Sequence, residues 1–134
     1  MVKSFFLLSL AVVPVLVPLR APYFGDVEER ATVEIGKVPL PQLPPQQWKM
    51  LRQQQGADYQ TLRIDVKLGV GRGRIYDLRV LHGTGYPDID QTIVNWIQTK
   101  WRTAAWFEGD QAFAVSFDVD PALQRVVFRK LGAT

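Results

Sequence analysis

The chain of 134 residues has no cysteine and a single histidine. Without cysteine there is no disulfide framework and no thiolate metal site. That absence suits any redox compartment and assigns the protein to none. With His82 alone there is no second imidazole to share a zinc ion, and an acid–base pair would need a nearby carboxylate. A surface histidine at a strand end is the simpler reading. Internal repeats are also lacking. No glycine-rich loop opens a helix, because Gly69–Gly73 lies between two strand patterns and reads as a hairpin turn. Asp88 and Asp90 resemble a carboxylate pair, but a helix start explains both. Asp118 and Asp120 could attract a hard cation, yet they read as a strand end before Pro121. The expectation is therefore a protein with no cofactor, no metal and no catalytic constellation, one that works by binding.

What is present supports one domain and not two. Hydrophobic residues make up 47% and aromatics 11%, including four tryptophans, so a core can form. A net charge of +3 gives weak attraction to anionic surfaces without singling out nucleic acid. The N-terminus carries Lys3 and then an apolar run, Phe5–Leu19, interrupted by Ser9 and closed by Arg20. The run is shorter than the roughly 20 residues of a spanning helix, and Pro14 and Pro18 disturb its end. Residues 1–20 read as a signal peptide or a short membrane anchor, with no clean small-x-small cleavage site. Export to the periplasm is the localisation this implies.

Residues 21–45 read as a Pro-rich spacer. Asp26, Glu28, Glu29 and Arg30 form a charged patch with little apolar periodicity, and Thr32–Ile35 alternates briefly like a short strand. Pro39, Pro41, Pro44 and Pro45 favour polyproline II. An ordinary loop laid across the domain is the competing reading.

From residue 46 to 130 the pattern is that of a folded domain. Trp48, Leu51 and Arg52 share a helical face with Gln55, between Pro45 and the stop at Gly56. Leu62, Ile64, Val66, Leu68 and Val70 alternate with Arg63, Asp65 and Lys67, a half-buried strand. Arg74–Leu81, with Tyr76, Leu78 and Val80 on one face, completes an antiparallel hairpin. A second helix runs from an Asp88 cap through Ile89, Ile93, Trp96 or Ile97, and Trp101 to about Arg102. Phe113, Val115, Phe117 and Val119 mark a third strand, Ala112–Val119, and Arg125–Lys130 suits a fourth, shorter one. The fold class is α+β: two helices and a three-stranded antiparallel sheet, four-stranded with the last segment, in the order α-β-β-α-β-(β).

These residues resemble the C-terminal domain of the TonB energy-transducer family. The resemblance rests on the alternating strand Leu62–Leu68, Gly73 and Ile75 in the hairpin, Leu78 and Val80, and the helix entry Gly85-Tyr-Pro-Asp-Ile-Asp90. Val94, Trp101 and the strand Phe113–Phe117 complete it, and it spans about Pro44 to Val119. It implies an envelope protein-binding module, engaging an outer-membrane receptor or another envelope protein by β-strand addition. It also implies energy-coupled transport with inner-membrane motor proteins as partners. The capturing edge would be the third strand, through Ala112, Phe113, Ala114, Val115, Ser116, Phe117 and Asp118, with Ala112, Ala114, Ser116 and Asp118 facing outward. Gln124–Lys130 or the spacer would be the alternative occupants of that edge. Gln42, Pro44 and Pro45, ahead of the first helix, match the region that approaches the receptor. The rival is a structural or self-associating periplasmic protein, a homodimer built on the same edge without energy transduction. A nucleic-acid reading of Arg63, Arg72, Arg74, Arg79 and Tyr76 conflicts with export, and these residues read as a solvated face.

Overall fold

The computed structural model describes residues 22–71, 73–103 and 110–133; residues 1–20, read above as a signal peptide or short anchor, Arg72 and Trp106 lie outside them. The elements are α1 (Pro22–Glu34), β1 (Gly36–Lys37), α2 (Pro45–Gln55), β2 (Leu62–Gly71), β3 (Arg74–His82), α3 (Pro87–Lys100), β4 (Arg102–Thr103), β5 (Gln111–Asp120) and β6 (Arg125–Ala133). Four strands form one antiparallel sheet in the order β3-β2-β5-β6, and β1 pairs separately with β4. The class is α+β, with one helix more than the sequence pattern suggests.

Alternation decides the sheet's two faces. Ile64, Val66, Leu68 and Val70 of β2, Phe113, Val115, Phe117 and Val119 of β5, and Val126, Phe128 and Leu131 of β6 are buried on one face. Ile89, Ile93 and Ile97 of α3, Trp48 and Leu51 of α2, and Ala31 of α1 join the same core. Each such large side chain contributes about 1.5–3 kcal/mol when fully buried. Trp101 meets Phe117 edge-on at a centroid distance of 6.1 Å, and Phe117 lies 5.2 Å from Phe128. The opposite face carries Arg63, Asp65, Lys67, Ala112, Ala114, Ser116 and Asp118, exposed or half-buried.

The helix ends follow from their sequences. Pro45 opens α2, and Gly56, at φ 72°, closes it with its N–H on the Arg52 carbonyl. α3 opens at Pro87, so Tyr86 holds the capping position and Asp88 falls inside the first turn. The expected Asp88 cap is thus corrected: proline favours the first helical position and draws the start two residues upstream.

The spacer reading of 21–45 is also corrected. Pro22–Glu34 is a helix whose Val27 and Ala31, with Ile35 just past its end, recur every four residues and turn to the core. The segment Thr32–Ile35 is therefore not a strand. Beyond β1 the chain is strapped onto the domain, with Val38, Pro41 and Leu43 buried. The indole N–H groups of Trp96 and Trp101 both donate to the Pro39 carbonyl, each at 2.9 Å. Proline cannot donate, but its carbonyl is a good acceptor, and here two elements hold one.

Candidate functional site

Strand addition needs a strand with a free side, so the place of each strand in the ladder decides which can serve. β5 cannot. On one side it pairs with β2 from Leu62↔Val119 to Val70↔Gln111, and on the other with β6 from Asp120↔Arg125 to Phe113↔Ala133. The expected capturing edge, Ala112, Phe113, Ala114, Val115, Ser116, Phe117 and Asp118, is therefore internal. Its backbone groups are spent in the ladder on both sides. The cause is the last segment: Arg125–Ala133 is longer than the short strand the pattern suggests, and it occupies the edge from Phe113 to Asp118, leaving only Ala112 beyond its end. The outward direction of Ala112, Ala114, Ser116 and Asp118 does hold, and the Ser116 hydroxyl donates to Asp65 across the strands.

The true edges are β6 and β3. α1 packs against β6, and Arg30 donates to the Leu131 carbonyl at 3.2 Å. Helix packing thus covers part of this edge. β3 pairs with β2 only; among the described residues no strand is hydrogen-bonded to its outer side, while α3 and the short β4 pack against β3. It is also the strand on which exposed apolar side chains gather: Tyr76 is 51% exposed, Val80 39% and Leu81 58%. Val80 faces the core side opposite Val66 and yet stays open to solvent.

Two register shifts shape β3. One falls between Gly69 and Val70, which leaves Tyr76 as the extra residue; the other, between Asp65 and Val66, does the same to Leu81. Tyr76 is consequently turned off the face it would share with Leu78 and Val80. Its ring lies over Gly69, where a Cβ would come 2.8 Å from the ring. The sequence contained a signal for this edge. Ile75, Tyr76, Leu78, Val80 and Leu81 are more apolar residues than a single buried face of a nine-residue strand can use.

The other expected site residues are scattered. Gln42 is exposed beside a groove of about 380 Å³ lined by Leu40, Pro41, Leu43, Trp48 and the Gln124–Val126 end of the last hairpin. Pro44 and Pro45 serve as the cap and first residue of α2. None of the three lies on β3. His82 ends β3 and is exposed. Asp90 reaches back across Gly83 to accept from the Thr84 backbone N–H at 2.9 Å and the Thr84 hydroxyl at 2.8 Å, a structural use of this carboxylate. Among the described residues no three His, Asp or Glu side chains come together as a metal site. No helix among them is long and apolar enough to cross a membrane. No family model, curated protein or solved structure matches this chain.

Proposed function

We propose that this chain is a non-catalytic binding module of the cell envelope that captures an extended segment of a partner protein by strand addition at β3. The observation that carries the reading is the coincidence on one strand of an unpaired side and exposed apolar residues, Tyr76, Val80 and Leu81. A free side offers backbone N–H and C=O groups for affinity, and alternating side chains select the partner. The resemblance to the TonB C-terminal domain supports an outer-membrane receptor or another envelope protein as that partner. By the same resemblance the partners include inner-membrane motor proteins, with a part in energy-coupled transport.

The test is a titration of the protein with extended peptides drawn from the periplasm-facing segments of outer-membrane receptors, followed by amide NMR. Amides within 74–82 should shift and gain protection. A response confined to β6, or no response in the sheet at all, rejects capture at β3.

A further inference from the structure

The order of residues along β3 is self-complementary, and this points to an occupant for its free side. Read outward from Leu78, Asp77 is matched by Arg79, Tyr76 by Val80, Ile75 by Leu81 and Arg74 by His82. We infer that two copies of this chain pair through β3, antiparallel about a two-fold axis at Leu78, making one continuous sheet across both. We further infer that this pairing closes the edge to other partners. This second half rests on the proposed capture function; the first does not.

The register is fixed by charge and by face. Asp77 and Arg79 stand on the face opposite the core, because they lie across from Gly69 and Lys67. Leu78 and Val80 stand on the core side, across from Leu68 and Val66. Antiparallel partners must share a face, so a two-fold axis placed between two residues is ruled out, since it sets Asp77 against Leu78. An axis at Arg79 sets two arginines directly opposite each other, and an axis at Asp77 sets two aspartates. The axis at Leu78 alone places Asp77 opposite Arg79 of the second copy, and the reverse, with Leu78 against Leu78.

The flanking residues agree once the register shifts are included. Tyr76 is turned to the face of Asp77 and Arg79, over Gly69. The second shift leaves Leu81 as the extra residue between Val80 and His82. Along the strand, Leu81 of the second copy is one position from direct opposition to Tyr76. On the core side Ile75 falls beside Val80 of the second copy. Val80 thereby gains an apolar neighbour, and Tyr76 and Leu81 of the two copies come within one strand position of each other.

The single chain also carries a charge conflict that pairing relieves. Lys67 lies directly opposite Arg79 in the ladder, a like-charge pair. Among the described residues the carboxylate paired with Arg79 is Asp77, at 3.3 Å, with both side chains well exposed. A second copy brings its own Asp77 to the other flank of Arg79, so the charges across the seam alternate in sign.

The experiment is sedimentation of the full chain from roughly 10 µM to roughly 1 mM, the range suited to a contact of small area. The expected result is a shift from the mass of one chain to that of two. Asp77→Arg and Arg79→Asp should each hold the protein at the lower mass, and the double variant, which swaps the charges, should restore the shift. Both positions are exposed, so amide spectra should show all variants folded. A wild-type protein that stays at one mass, an association indifferent to both single changes, or a double variant without rescue overturns self-pairing. The same samples titrated with receptor peptide separate the two readings. Capture without self-pairing sinks only this inference. Self-pairing without capture leaves the pairing standing and sinks the capture function. A peptide that binds the pair without separating it overturns the competition.

Discussion

Asp90 accepts from both the backbone N–H and the hydroxyl of Thr84, and the Thr84 hydroxyl in turn accepts from the Tyr86 N–H at 3.1 Å. Thr84 is 9% exposed, so these groups have little water to turn to. Gly83 leaves room for the carboxylate, which stands where a Cβ would sit. Asp90→Ala should therefore cost about 1–3 kcal/mol, because it strips buried donors of their acceptor. Asp90→Asn keeps an acceptor oxygen and should cost less, and urea unfolding of the two variants checks the order. Equal losses would mean that Asp90 acts only by charge at the helix start. The helix entry Gly85–Asp90 was legible in the sequence. The partner of Asp90 was not, because a side chain that reaches backward over a glycine leaves no periodic trace.

At the scale of elements, alternation carried most of the fold. The strands β2, β3 and β5 and the helices α2 and α3 follow from period-2 and helical spacing over runs long enough to be unambiguous. α1 was hidden because its core contacts are made by small or widely spaced residues, Val27, Ala31 and Ile35, among acidic neighbours. The strap from Val38 to Leu43 was hidden because proline composition says nothing about whether an extended segment lies free or is held. Here it is held by Trp96 and Trp101 through the Pro39 carbonyl. Trp96→Phe should cost about 0.5–1.5 kcal/mol, the worth of one hydrogen bond. Trp101→Phe should cost more, because its ring also touches Phe117 and Phe128. Thermal unfolding of both variants tests the ranking. The expected binding edge failed at this scale too. The sequence showed a strand at Ala112–Val119, but only the length of its neighbour, Arg125–Ala133, decides whether that strand is edge or centre.

For the whole molecule, the strand order β3-β2-β5-β6 sets where stability is concentrated. β2 and β5 are each paired on both sides and carry buried residues at every second position. Their amides should exchange most slowly, near the global unfolding rate, while those of β3 exchange by local opening. Hydrogen exchange read by NMR checks this, and equal protection of β2 and β3 in dilute protein would contradict it. Phe117 is fully buried at the centre of that pair, between Trp101 and Phe128. Phe117→Ala should cost about 3–5 kcal/mol, a large part of the 5–15 kcal/mol typical of a domain. Urea unfolding measures it directly, and a loss under about 1 kcal/mol would show that the site collapses to fill the space. The contact between Arg30 and the Leu131 carbonyl joins residues 101 positions apart. It acts as a clock during synthesis. At roughly 5–20 residues per second, the first helix waits at least about five seconds for the strand it packs on. Until β6 has been made, α1 lacks the strand to which Arg30 ties it.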